Sequence, residues 1–341
     1  MSWRLRVVPP LLALLLLTAC QVQVPGTSWV LGAPPPLLSR AQAVRIVTGA
    51  WSDVRHDAHA GKVDRVTAAF TGPALRILES QIEKEDPDDA AVGSGLLTQA
   101  LRVKETYVPR QHGYPAAFLA VGRFQRNNGA YALFLFTRAS ARVRWRGEAI
   151  FYRNYQDQMP PIGGGDGTYL PAGQSTLAAA PHQLPSRYAG YLTQGVRSGH
   201  AGGAFAVGAL TTGTIGQLRS WADTEGVDQV SLNERFSGSA PVATIPLPGG
   251  GALVIFPMTW VEYAVAAKTS CVVFDRPGGL LPSGAYADVA LIDSGDVAAV
   301  DPAHGRVSVV ERSQDLVAVT STVCNGPPPP PAPARKKPLD S

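Results

Sequence analysis

The sequence predicts an α+β protein built as two successive units, each a set of helices followed by an antiparallel meander. Three observations predict it. Apolar residues recur at helical spacing near the start of the body and again after residue 184. Each helical stretch gives way to runs of four to ten apolar or alternating residues bounded by turn signals. A Gly- and Pro-rich stretch over 155–180 separates the two. It includes Gly163-Gly164-Gly165-Asp166-Gly167, which lacks the Lys-Ser/Thr of a phosphate loop and reads as a linker.

The first unit opens with Ser39 and Gln42, a capping box. Val44, Val47, Trp51 and Val54 follow on one helical face. A second helix is expected over Lys62 to Phe70. A third starts at Thr71-Gly72-Pro73, with Leu75, Leu78 and Ile82 inward, and stops at Asp86-Pro87. Strands are then expected at Gln99 to Val108, Ala116 to Phe124, Tyr131 to Thr137 and Arg142 to Phe151. Tyr131 to Thr137 is a solid apolar run, the mark of a strand buried on both faces. Arg142 to Phe151 alternates, the mark of a half-exposed strand with Arg142, Arg144 and Arg146 on its outer face.

In the second unit a helix is expected from Pro185 to Gln194, with Gly195 as its C-cap. Another runs from Thr214 to Thr224. Strands follow at Val242–Leu247, Ala252–Met258, Val261–Val273, Ala285–Ile292 and Arg306–Val323. Tyr131-Ala132-Leu133-Phe134-Leu135-Phe136 resembles Gly251-Ala252-Leu253-Val254-Ile255-Phe256, and each sits in the middle of its meander.

The N-terminus reads as a targeting segment. Arg4 and Arg6 precede an apolar run from Leu11 to Leu17, too short for the roughly 20 residues a membrane span needs. Leu17-Thr18-Ala19-Cys20 resembles the lipobox of bacterial lipoproteins. That resemblance implies cleavage before Cys20, lipidation of Cys20, and attachment to the outer face of the cytoplasmic membrane. The expected organisation is a signal peptide over 1–19, a lipidated Cys and Pro-rich tether over 20–37, a first domain over 38–154, the linker over 155–180, a second domain over 181–325, and a Pro-rich basic tail over 326–341.

Arg4, Arg6 and the terminal Arg335, Lys336 and Lys337, set against Asp340, account for the formal charge of +4. The body is close to neutral and offers no basic surface for nucleic acid. Cys271 and Cys324 lie in β-branched surroundings and are expected to form a disulfide; the alternative is two buried thiols.

Helices feeding a curved antiparallel sheet resemble the NTF2-like cone. Thr71-Gly72-Pro73-Ala74-Leu75, Tyr114-Pro115-Ala116-Ala117-Phe118-Leu119-Ala120-Val121 and Arg187-Tyr188-Ala189-Gly190-Tyr191-Leu192 resemble an uncharacterised domain of actinobacterial lipoproteins. The resemblance implies an envelope protein without an assigned activity.

No catalytic constellation stands out. Asp53, His56, Asp57 and His59 lie on one helix but lack further ligands nearby, so no metal and no cofactor is expected. Cys271 lacks a partnering His, and Gly93-Ser94-Gly95 lacks the spacing of a nucleophile elbow. The expected role is non-enzymatic: binding or scaffolding toward an envelope partner or a small apolar ligand. Tyr107, Phe118, Phe134, Phe136 and Trp145 are the candidate lining of a cone. The alternative is a cone-type enzyme using His112 or Glu105.

Overall fold

The computed structural model describes residues 37–84, 94–109, 113–125, 130–153, 177–225, 230–247, 250–266, 271–274 and 284–324. The first helical layer is α1 (Arg40–Ala60), α2 (Asp64–Ala69) and α3 (Gly72–Lys84). A four-stranded antiparallel sheet follows, in the order β1 (Leu101–Tyr107), β2 (Ala116–Phe124), β3 (Tyr131–Arg138) and β4 (Arg146–Arg153). The second half starts with α4 (Leu184–Ser198) and α5 (Thr214–Glu225). Its strands are β5 (Val230–Gly238), β6 (Ala243–Leu247), β7 (Gly251–Ala266), β8 (Val272–Phe274), β9 (Gly284–Asp301) and β10 (Ser308–Val323). They form one antiparallel sheet in the order β10-β9-β7-β5, with β6 also on β7 and β8 on β9. The class is α+β.

Period-2 alternation arranges these pieces in four layers. On β3, Ala132, Phe134 and Phe136 face the first helices, while Leu133 and Leu135 face away from them. On β7, Ala252, Val254 and Phe256 face α4 and α5, while Leu253 and Ile255 face away. The away-facing residues meet. Leu119, Leu133, Leu135 and Phe151 of the first sheet share a core with Ile245, Leu253, Ile255 and Ala298 of the second. The order is therefore helices, sheet, sheet, helices. This is why the two matching hexapeptides are solidly apolar: both are central strands buried on both faces.

Helix α1 carries the expected cap: Ser39 Oγ accepts from the Gln42 N–H, and Gln42 Oε1 accepts from the Ser39 N–H. Gly61, at φ 59°, ends it in the left-handed conformation. Its buried face is Ala43, Val47, Ala50, Trp51, Val54 and Asp57; Val44 is exposed. Helix α3 does more than cover its own sheet. Arg76 Nε donates to Ser294 Oγ (2.9 Å), Ser80 Oγ to the Leu316 carbonyl (2.6 Å), and Lys84 pairs with Asp315 (2.6 Å). It braces the first half against β9 and β10.

Several sequence expectations need correction. Arg142 and Arg144 lie in the turn before β4, which starts at Arg146. The Arg146 guanidinium donates to the Thr67 and Phe70 carbonyls, so the three arginines form no outer strand stripe. Gly195 does not end α4. It lies inside the helix where the Ile215 side chain presses on it, and Gly199, at φ 74°, is the cap. The strands expected at 252–258 and 261–273 are one strand, β7, followed after a gap by β8. Residues 85–93 and 154–176 lie outside the described residues, and with them the expected helix stop at Pro87 and most of the linker.

Candidate functional site

The five aromatic residues expected to line a cone do not share one face. Phe118, Phe134 and Phe136 are fully buried against α1 to α3, and Trp145 packs partly buried on the same cluster. Phe118 stacks on Phe136 with centroids 5.2 Å apart, and Trp51 meets Phe134 edge-on at 5.8 Å. Tyr107 lies on the other face, in the core between the sheets. The helices fill the aromatic face of this sheet with their own side chains.

Asp57 sits 2 % exposed beneath α2 and accepts from the Arg65 and Val66 N–H groups (2.7 and 2.9 Å). It supplies the side-chain cap that Val63, the residue before α2, lacks. His56 and His59 are exposed, and among the described residues no group of three or more His, Cys, Asp or Glu is placed to hold a metal. Glu105 is exposed at the bulge of β1. His112 and Cys20 lie outside the described residues. Cys271 and Cys324 are disulfide-bonded, with Cα atoms 5.9 Å apart, joining the residue before β8 to the residue after β10.

Two described spaces are open grooves. One of about 400 Å³ runs between the first turns of α1 and the edge strand β1, lined by Arg40, Val44, Val103, Glu105 and Tyr107. A second of about 600 Å³ runs between α4 and β5, lined by Ser186, Ala189, Gly190, Thr193, Arg197 and Phe236. Strand β5 went unread in the sequence. Its signal is the alternation of Glu234 and Phe236, half-buried, with Asn233, Arg235 and Ser237, exposed.

Beside the second groove, three carboxylates cross the sheet on the α4 face. Glu234 on β5 is directly opposite Glu262 on β7, and Asp293 on β9 is opposite Trp260, two residues away. Burial pushes Glu234 up to about 8, with the Glu262 charge adding to it. Burial and the Asp293 charge push Glu262 up to about 7. Burial and the Asp315 charge push Asp293 up to about 6, against the pull of Lys84 and Arg312. The Trp260 indole N–H donates to Glu234, the Phe236 ring lies 5.4 Å from Trp260, and the Arg312 guanidinium sits 5.4 Å over the Trp260 ring. These values suit acid–base work, but the space enclosed by Met258, Trp260, Asp293, Arg312 and Gln314 is only about 10 Å³. That is one water at most.

On the opposite face of β9, Asp296 is fully buried near Glu148 and Arg76, and burial holds its carboxyl well above the usual range. It fills the seam that α3 covers, where burial disfavours its charged form.

No curated protein and no solved structure matches the chain. A family model described as a domain of unknown function, DUF8094, matches residues 34–321. The match runs through both helical layers and both sheets as one stretch. The chain therefore belongs to the DUF8094 family.

Proposed function

We propose that this protein is a lipid-anchored lipoprotein on the outer face of the cytoplasmic membrane, binding or scaffolding an envelope partner without catalysing a reaction. The lipobox-like Leu17-Thr18-Ala19-Cys20 supports the anchor and the signal peptide before it. The Cys271–Cys324 disulfide supports the compartment, because structural disulfides persist where thiols are not kept reduced. Among the described residues no helix is long and apolar enough to cross a membrane. The order of helices then meander in each half supports reading both halves as NTF2-like cones.

The binding reading rests on one observation: two described spaces are grooves open at the surface, while the aromatic face of the first sheet is filled by its own helices. That favours a protein partner over a small apolar ligand. The test is growth with an alkyne-bearing palmitate, comparing wild type with Cys20→Ala. Wild type should carry label and fractionate with membranes, and the variant should carry none. Equal labelling of the two would overturn the anchor.

A further inference from the structure

We infer that the groove between α4 and β5 takes an extended, acidic segment of a partner protein, which adds to the sheet as a strand beyond β5. The inference rests on the partner-binding reading above and names the surface and the chemistry it recognises.

The backbone of β5 supplies the first argument. Ser239 N–H donates to the Pro257 carbonyl across to β7 (3.0 Å), which fixes the phase of the ladder. In an antiparallel pair the residues alternate between those that bond the partner strand and those whose N–H and C=O point away. Counting back from Ser239, the groups of Ser237 and Arg235 point at β7, and those of Gly238, Phe236 and Glu234 point to the outer edge. Strand β5 ends its sheet, and among the described residues no strand pairs with that edge. An edge that no described strand pairs is a template for another strand.

The second argument is the space beside the edge. Gly238 is held against α4 so closely that a Cβ on it would lie 2.6 Å from Pro185. From there the helix flank and strand part to leave the groove. A Cβ on Gly190 would meet no atom within 4 Å, so the groove floor is clear. The flank from Ser186 to Arg197 covers about 16 Å at the helical rise, room for about five residues of extended chain. A peptide laid between a strand edge and a helix is a recurring recognition mode.

The third argument is charge. Among the described residues that line the groove, Arg197 carries a charge and none is acidic; Arg235 lies on the other face of the sheet, over the Tyr263 ring. Glu234, the nearest acid, is held mostly protonated at neutral pH by its burial and by Glu262. The rim is positive, so the occupant carries Asp or Glu or a free carboxylate end.

The probe is a phage-displayed library of random linear heptapeptides, panned on the purified full-length protein. The selected peptides should be rich in Asp and Glu. Gly190→Trp should weaken them at least tenfold and Arg197→Glu at least fivefold, with both variants unfolding at the wild-type temperature. N-methylation along a selected peptide should weaken binding at every second residue, because only alternate N–H groups reach the edge. Acidic peptides with this period-two pattern and this dependence on Gly190 would establish the site. Peptides that bind wild type and Gly190→Trp alike, or that show no alternation, would overturn the groove and leave partner binding elsewhere intact. Failure to select any peptide would overturn the inference as well. The labelling of Cys20 reports the anchor separately.

Discussion

Glu234 faces Glu262 directly across the β5–β7 ladder, and the indole of Trp260 holds one oxygen of Glu234. Like charges in this relation repel. Burial raises both carboxyls, with the Glu262 charge adding to Glu234 and the Asp293 charge adding to Glu262, so the two are not both fully charged at neutral pH.

That relation sets a pH dependence. Both carboxyls bind protons more tightly folded than unfolded, so the folded state holds more protons between the ordinary Glu range and about pH 8. Stability therefore falls as pH rises through this window. In Glu262→Gln the fall should be shallower, and the variant should be more stable than wild type at pH 8 and closer to it at pH 5. Urea unfolding at a series of pH values measures this. Identical slopes for the two proteins would refute it.

Two helix-interior glycines should respond oppositely to alanine. On propensity alone each replacement gains about 0.5–1 kcal/mol. At Gly216 on α5 the Cβ site is open, so Gly216→Ala should show that gain. At Gly195 the new Cβ would collide with Ile215, so Gly195→Ala should lose about 1–3 kcal/mol instead. Thermal unfolding of both variants decides the signs.

Asp57→Ala removes the acceptor for the Arg65 and Val66 N–H groups and leaves the buried Val66 donor without it. The expected cost is about 0.5–2 kcal/mol, the range for a lost helix cap. Faster amide exchange at the start of α2 should accompany it. Unchanged exchange there would show that α2 does not depend on this carboxylate.

Removing the disulfide with Cys271→Ser and Cys324→Ser opens a link between residues 53 apart in sequence. Chain entropy puts the cost at roughly 4 kcal/mol. A thiol assay on denatured, unreduced wild type should find neither cysteine free, and denaturant unfolding of the double variant measures the loss.

The helices and the central strands were legible because their patterns are local. Ser39 and Gln42 mark the start of α1 by themselves, and the solid apolar runs of β3 and β7 announce burial on both faces. What buries the second face was not legible, since Leu133 meeting Leu253 depends on a partner more than a hundred residues away. The break expected between Met258 and Val261 is absent for a related reason: β7 keeps its neighbours β5 and β9 across Thr259 and Trp260, and it carries Pro257 within it as well. Proline lacks an N–H and ordinarily interrupts a central strand. Here Pro257 lies opposite Ser239, where the chain leaves β5 before rejoining the ladder as β6, so the missing donor falls at a gap between two pairing strands. Strand β5 was missed because Asn233, Arg235 and Ser237 are polar and solvent-facing. Ser80 and Lys84 carry no local signal of a partner, and only the return of β10 supplies one.

The brace made by α3 has a consequence for biosynthesis. Its partners Ser294, Asp315 and Leu316 follow it by 218 to 236 residues. At ordinary elongation rates the ribosome needs about 10–50 s to make that much chain. Leu119, Leu133, Leu135 and Phe151 wait as well, since their cover comes from β6, β7 and β9 of the second sheet. The N-terminal half thus stands with one greasy face open until those strands arrive, and α3 waits longer still for β10. A premature stop before β6 leaves that face bare, so the fragment should aggregate rather than serve as a smaller working protein.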